Sequence, residues 1–135
     1  MIERKPLGIA VVGAGRIGTL RARLAAEYPA VNFIAVSDAD PARARDLAEK
    51  IGAQFHSGDN LAAISRPEVN AVIVASSEGE HVQAVMQALE RGKPVLVEKP
   101  IALTLADADR IVAEARKPEI AKWGKVIRDA GIRPE

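Results

Sequence analysis

The chain has 135 residues, and at roughly 100–200 residues per domain this length predicts a single domain with its own core. Lys and Arg number 19 and Asp and Glu 18, so the formal net charge of +1 gives no electrostatic reason to expect nucleic acid or an anionic membrane as a partner. The absence of cysteine excludes disulfides, thiolate nucleophiles and cysteine-ligated metals, and two histidines leave little material for another metal site, so we expect none.

Short apolar runs rich in β-branched residues alternate with helical patterns along the chain. Such runs, each ending at a glycine or a polar residue, are typical of buried parallel strands. They predict strands over residues 7–12, 31–37, 53–56, 71–75 and 95–97. Helical spacing and capping residues predict helices over residues 17–27, 41–51, 60–65, 80–90 and 104–116.

This alternation predicts an α/β fold, a doubly wound parallel sheet of about five strands with helices on both faces. Lys117-Pro118 is the candidate boundary between a domain over residues 1–117 and a tail over residues 118–135, whose pattern predicts a further helix over 119–130. No run approaches the ~20 apolar residues of a membrane helix, and the first residues lack the apolar stretch of a signal peptide. We therefore expect a cytoplasmic protein with no membrane partner.

A glycine loop with the sequence GAGRIG joins the first predicted strand to the first predicted helix. The G-x-G-x-x-G pattern is weak alone, but this strand–loop–helix setting is the one in which it binds a dinucleotide. Gly13 permits the tight turn, Gly15 leaves room for a pyrophosphate, and Gly18 lets the helix pack closely on the strand. The helix N-terminus at Arg16 and Ile17 then presents N–H groups to the phosphates.

Asp38 stands at the end of the second predicted strand, twenty residues after Gly18. A carboxylate there can accept hydrogen bonds from the adenosine ribose hydroxyls and would repel a 2′-phosphate, so NAD is favoured over NADP. Asp40 adds a second negative charge nearby. The alternative interpretation is that Asp38 only caps the turn before Pro41.

Further stretches extend this pattern: Val36-Ser37-Asp38, Asp40-Pro41, residues 67–72, His81, and GKPVLVEKP from Gly92 to Pro100. With them, residues 7–116 resemble the nucleotide-binding half of the glucose–fructose oxidoreductase / inositol dehydrogenase / MocA family of NAD(P)-dependent oxidoreductases. Glu-Lys-Pro at the end of the fifth strand is much more specific than the glycine loop.

The resemblance implies a catalytic role for Lys99, beside the nicotinamide and the substrate carbon that exchanges hydride. An ammonium group there can polarise a carbonyl or help to move a hydroxyl proton. Glu98 is implied to fix the site and contact the cofactor region, and Pro100 to hold the turn, as a cis peptide. Without the rest of the pattern, Glu98 and Lys99 would be interpreted as a solvated ion pair.

Ser76 and Ser77 follow the fourth strand, where the family usually has Thr-Pro or Thr-Asn, and are implied to contact the nicotinamide ribose through an altered loop. His81 matches the family's histidine and is counted among the cofactor-binding candidates, although a histidine at a helix start is more often structural. Arg21 stands where many members have histidine, and we assign it no role beyond that of a solvated or phosphate-facing cation.

Family members carry a second domain, an open-faced antiparallel sheet that supplies the substrate pocket, and a sixth strand in the first domain. Neither has a counterpart in these 135 residues. Residues 118–135 resemble the C-terminus of periplasmic receptors for tripartite tricarboxylate transporters, which suggests a truncated gene joined to an unrelated 3′ end. The alternative is a coincidental amphipathic helix, with Ile120, Trp123 and Ile127 packed on the sheet or a partner.

Three functions remain open. One is an NAD-dependent oxidoreductase acting on a hydroxyl of a sugar or cyclitol. Another is a dinucleotide-binding or oligomerising module without turnover, which we favour for the isolated chain. The third is a half-enzyme completed by a substrate domain on another chain. The fifth strand lacks a neighbour, and Ile111 and the tail are expected to expose apolar residues unless these pack within the chain. We therefore also expect a homodimer that uses residues from Val95 onward and buries Trp123, the alternative being a tail helix that folds back and covers the strand edge.

Overall fold

Five parallel strands form one sheet in the computed structural model, which describes residues 6–117. The strands are β1 (Leu7–Val12), β2 (Val31–Ser37), β3 (Phe55–Ser57), β4 (Ala71–Val74) and β5 (Val95–Val97). All five predicted strands are therefore confirmed, and β3 begins two residues later than expected.

Five helices connect and follow these strands. They are α1 (Arg16–Glu27), α2 (Pro41–Ile51), α3 (Asn60–Ile64), α4 (His81–Glu90), which follows a single 3-10 turn (Glu78–Glu80), and α5 (Leu105–Ala115). The late start of β3 follows from the end of α2, because the Ala53 amide still donates to the Ala48 carbonyl of that helix.

The helix ends follow the capping residues of the sequence. The Asp40 carboxylate accepts from the Ala42 amide at 3.0 Å and begins α2, which ends at Gly52 with a φ of 72°. The Thr104 hydroxyl accepts from the Asp107 amide at 3.1 Å and begins α5. These contacts are the predicted ones, so local chemistry sets the helix boundaries.

The strand order is β3-β2-β1-β4-β5, so the chain leaves β1 in one direction and returns beside it in the other. Side chains of α1 and α2 pack in a core on one face of the sheet, and those of α3, α4 and α5 pack in a second core on the opposite face. The predicted doubly wound α/β fold is thereby confirmed. Its topological switch point lies between β1 and β4, where open α/β sheets bind their ligands.

Ile111 packs within the chain. We expected it to be exposed unless it packed against another element, and it is 4% exposed and belongs to the core that contains Ala84, Val85 and Ala88 of α4. The next residue, Val112, is 41% exposed instead.

Some sequence predictions lie outside the described residues. These are the helix over 119–130, the receptor-like resemblance of 118–135, and the packing of Ile120, Trp123 and Ile127. Across residues 6–117, no helix combines the length and the apolar character needed to cross a membrane.

Candidate functional site

Loops from three neighbouring strands meet at the carboxyl edge of the sheet, at the switch point. They enclose a cleft of about 220 Å³. Its lining residues are Gly13, Gly15, Asp38, Ala39, Arg43, Asn60, Ala75, Ser76, Ser77 and Glu80. The fold thus brings together five of the residues that the sequence predicted for the site, which are Gly13, Gly15, Asp38, Ser76 and Ser77.

At two glycines, the backbone of the loop after β1 and of α1 lies too close to neighbouring backbone atoms for a side chain to fit. Gly13 has a φ of 101°, and a Cβ placed on it would lie 2.6 Å from the Ser76 amide nitrogen. A Cβ on Gly18 would lie 1.7 Å from the Gly13 carbonyl oxygen. No side chain fits at either position, so Gly13 is required for the approach to the β4 loop and Gly18 for the packing of α1 on its own loop.

Gly15 differs, because a Cβ placed on it would meet no atom within 4 Å. It precedes α1, whose N-terminus has no side-chain cap and no acidic residue in its first turn. The helices α2, α3 and α5, in contrast, are capped by the side chains of Asp40, Asp59 and Thr104, and α4, which also lacks a side-chain cap, continues from a 3-10 turn. An uncapped helix N-terminus beside open space, at Arg16 and Ile17, is suited to an anionic ligand.

Asp38 joins the loop after β2 to the glycine loop. Its Oδ2 accepts from the Ala14 amide and its Oδ1 from the Asp40 amide, both at 2.8 Å. The two interpretations of Asp38 are therefore compatible, since it caps the turn before Pro41 and also lines the cleft. Each oxygen retains a second lone pair with which to accept a ligand hydroxyl.

Two members of the cleft lining were missed from the sequence. Asn60 begins α3, and its Oδ1 accepts from the buried Ser37 hydroxyl at 2.9 Å. Arg43 lies in the first turn of α2. Both follow a strand by a few residues, and in a parallel sheet that position lies at the carboxyl edge, which is the signal that could have found them.

Ser76 supplies a polar atom that lacks a partner. Its hydroxyl oxygen is buried and makes no hydrogen bond to any residue of the described range. Ser77, next to it, is exposed at the cleft. An unpaired buried hydroxyl, open space at Gly15 and the uncapped N-terminus of α1 all fit a ligand that carries phosphate and hydroxyl groups.

His81 connects the β4 loop to the turn after β5. Its side chain is buried, with Nδ1 3.0 Å from the Pro100 carbonyl oxygen and Nε2 2.6 Å from the Ser76 carbonyl oxygen. Whichever nitrogen carries a proton donates to its oxygen. This geometry favours a positioning role for His81 over direct contact with a ligand.

The turn after β5 carries Glu98, Lys99 and Pro100, which lie one strand away from the cleft lining. The Lys99–Pro100 peptide is cis, as expected. Lys99 is exposed, and Glu98 forms an ion pair not with Lys99 but with Arg21 of α1, at 2.8 Å between Nε and Oε1. Arg21, to which the sequence assigned no specific role, therefore links α1 to this turn.

Lys93, the other lysine of the GKPVLVEKP segment, has a structural role. Its ammonium group donates to the Ile64 carbonyl and, at 3.2 Å, to the Arg66 carbonyl, which fixes the start of β5 to the end of α3. Burial lowers the pKa of Lys93 below its usual value, and the positive charge of Arg91 adds to this effect. Lys99 is thus the lysine of this segment that is available to a ligand.

Among residues 6–117, no group of three or more His, Asp or Glu side chains is arranged to hold a metal ion.

A doubly wound parallel sheet with a glycine loop at its switch point, followed by an acidic residue on the adjacent strand, defines a dinucleotide-binding Rossmann domain. The family model described as an oxidoreductase family with an NAD-binding Rossmann fold, GFO_IDH_MocA, matches residues 7–121. The chain belongs to this family, and its cofactor is NAD.

Individual relatives agree with this assignment. The chain is 37% identical over 112 residues to the myo-inositol 2-dehydrogenase of Thermotoga maritima. The aligned region covers 83% of this chain and 34% of that protein. The solved myo-inositol dehydrogenase of Lactobacillus casei, in complex with NAD(H) and myo-inositol, is 29% identical with a TM-score of 0.74 over 82% of this chain and 33% of that one.

The chain is also similar to a protein that was solved in complex with NADP. KijD10, a 3-ketoreductase from Actinomadura kijaniata in complex with NADP, is 31% identical with a TM-score of 0.72, over 83% of this chain and 36% of that one. The chain thus spans about a third of the length of the relatives it matches.

Proposed function

We propose that the cleft binds NAD with its pyrophosphate on the glycine loop and the N-terminus of α1, and its adenosine ribose at Asp38. The observation that carries this proposal is the contrast among the glycines. Gly13 and Gly18 have no room for a side chain, whereas Gly15 borders open space beside an uncapped helix N-terminus. Gly13, Gly15, Arg16, Ile17 and Gly18 together form the phosphate subsite.

The nicotinamide end of the cofactor is proposed to lie toward β5. Ser76 and Ser77 would contact the nicotinamide ribose, and the unpaired Ser76 hydroxyl supports this assignment. Glu98 and Pro100 would form the wall beyond it. The ring nitrogens of His81 lie within hydrogen-bond distance of the carbonyl oxygens of Ser76 and Pro100, so the buried ring would set the distance between these two subsites.

The proposed reaction is hydride transfer between nicotinamide and a hydroxyl-bearing carbon of a sugar or cyclitol. NAD, when bound, supplies the hydride acceptor. Lys99 would act on the substrate oxygen, taking the hydroxyl proton as a free amine or returning it as an ammonium group. The exposure of Lys99 at the carboxyl edge, together with the inositol dehydrogenases among the relatives, supports this role.

We further propose that residues 1–117 form the dinucleotide-binding domain of a cytoplasmic protein, with 118–135 as a separate tail, and that turnover requires a substrate-binding domain beyond the described residues. Turnover of NAD with a panel of polyols, compared with calorimetric NAD binding, separates the hypotheses. Binding without turnover supports a binding module or a half-enzyme. Turnover by the chain alone would instead show a competent enzyme and contradict the requirement for a further domain, and the absence of both binding and turnover would contradict the proposed dinucleotide site.

NAD is expected to bind more tightly than NADP. The negative charges of Asp38 and Asp40 near the ribose subsite oppose a 2′-phosphate, and we expect at least about a tenfold difference in Kd, equivalent to about 1.4 kcal/mol. Isothermal titration calorimetry of the full chain with each dinucleotide measures it. Equal or tighter binding of NADP would contradict the assignment.

Replacing Asp38 is expected to weaken this preference, and the structure guides the choice of variant. Asp38 also accepts from the amides of Ala14 and Asp40, so truncation to Ala would release the glycine loop as well as remove the charge. Asp38→Asn removes the charge and keeps one oxygen acceptor. An unchanged ratio of the NAD and NADP affinities in that variant would show that Asp38 is only a turn-capping residue.

The chain is also proposed to form a homodimer through β5 and the turn and helix that follow. β5 is an edge strand, and Leu96 at its centre is 53% exposed. Leu103 and Leu105, just before and at the start of α5, are exposed as well. An apolar strand edge is a template for pairing with a second chain, and a closed two-fold dimer is the commonest result.

Sedimentation velocity at tens of micromolar is expected to show a dimer, and Leu96→Lys is expected to shift it to monomer, because a charge on the edge opposes strand pairing. Leu24→Lys is the matched control, since Leu24 is exposed to the same extent on α1. A clean wild-type monomer, or equal dissociation by both variants, would contradict this interface.

A further inference from the structure

Arg43 is a charged side chain in the cleft for which the proposed function has no use. It lies in the first turn of α2, is exposed, and lines the cleft together with Asp38 and Asn60. It also lines an adjoining groove of about 310 Å³ beside α2. Within residues 6–117, its guanidinium makes no hydrogen bond or ion pair.

The acidic side chains that flank it in the sequence have other partners, and Asp46 forms an ion pair with Arg45 at 3.6 Å. Both Asp38 oxygens accept from amides, those of Ala14 and Asp40, and Asp40 Oδ1 accepts from the Ala42 amide at 3.0 Å. Arg43 therefore retains an unpaired positive charge at the end of the cleft where Asp38 lies.

We propose that Arg43 is a ligand for the 2′-phosphate of NADP and that the negative charge of Asp38 opposes the binding of that phosphate. This inference rests on the proposed function, because Asp38 must first lie at the adenosine ribose. A planar guanidinium can donate two parallel hydrogen bonds to a phosphate, whereas a carboxylate at the ribose repels one. The preference between NAD and NADP is then a balance between Arg43 and Asp38.

A double-mutant cycle tests this balance. The full-length wild type, Asp38→Asn, Arg43→Ala and the double variant are titrated with NAD and with NADP by calorimetry. We expect Asp38→Asn to tighten NADP binding by about tenfold or more. Adding Arg43→Ala is expected to remove most of that gain, and Arg43→Ala alone is expected to weaken NADP binding by a larger factor than NAD binding.

Arg45→Ala in the Asp38→Asn background is the matched control. Arg45 is exposed on the same helix and carries the same charge, but it lies outside the cleft lining. The increase in NADP affinity caused by Asp38→Asn should be retained in this variant. Adenosine 2′,5′-bisphosphate, compared with 5′-AMP, should reproduce the dependence on Arg43, because these probes differ only in the 2′-phosphate.

Several results would overturn the inference. One is an increase in NADP affinity that persists without Arg43. Another is the absence of any increase in NADP affinity in Asp38→Asn. If Arg43→Ala weakens the binding of NAD and of NADP equally, the guanidinium contacts a part that both ligands share, such as the adenine. A persistent increase and an equal weakening leave the proposed function intact. The absence of any increase, with an unchanged ratio of the two affinities, would also remove Asp38 from the ribose subsite, and a wild-type chain that binds neither dinucleotide contradicts the proposed function itself.

Discussion

Gly15→Val is expected to abolish dinucleotide binding and to leave the fold intact. A Cβ at this position meets no protein atom within 4 Å, and the backbone, with a φ of −79° and a ψ of −158°, is extended and suits a β-branched residue. The added side chain would occupy the space proposed for the pyrophosphate. We expect NAD affinity to fall by about 100-fold or more, equivalent to about 2.7 kcal/mol, with an unchanged thermal midpoint.

Gly18→Ala is the control. It lies three residues further along the same motif, and it is expected to lower the stability of the fold, which Gly15→Val leaves unchanged. Its Cβ would lie 1.7 Å from the Gly13 carbonyl oxygen, so the loop and α1 must separate. We expect a loss of about 3 kcal/mol in the free energy of unfolding, measured by urea denaturation. Retained NAD affinity in Gly15→Val would show that the loop is only a turn.

His81→Ala is expected to lower the stability of the fold substantially. The substitution leaves a cavity and removes the partner of the Ser76 and Pro100 carbonyl oxygens. We expect the free energy of unfolding to fall by about 2–4 kcal/mol, from the cavity and the lost hydrogen bonds together. Urea denaturation of the full chain measures this loss.

A positioning role for His81 makes a further prediction that a purely structural role would not. With Ser76 and Pro100 no longer linked, NAD affinity should fall more than the affinity for ADP-ribose, which lacks the nicotinamide. His56→Ala is the control, since this other histidine is exposed on the edge strand β3. Equal losses for the two ligands, or a stability within about 0.5 kcal/mol of wild type, the usual range for surface substitutions, would contradict the positioning role.

The sequence by itself determined the elements and most of their ends. Apolar runs predicted every strand, and the caps at Asp40 and Thr104 and the glycine at Gly52 set helix boundaries within one or two residues. These features depend on neighbours in the chain, through backbone conformation and local hydrogen bonds, and so they can be read locally. The position of the glycine loop between a strand and a helix could be predicted for the same reason, because it depends on residues that are consecutive in the sequence.

Only the tertiary structure decided how the site is assembled. Arg21 and Glu98 are 77 residues apart, and no local pattern pairs them. The link from His81 to Pro100, the bond from Asp38 to Ala14 and the burial of Ile111 against α4 likewise depend on how the strands are ordered in the sheet and how the helices cross over it. Such contacts join elements that are distant in sequence, so their partners are set by packing and not by the residues beside them.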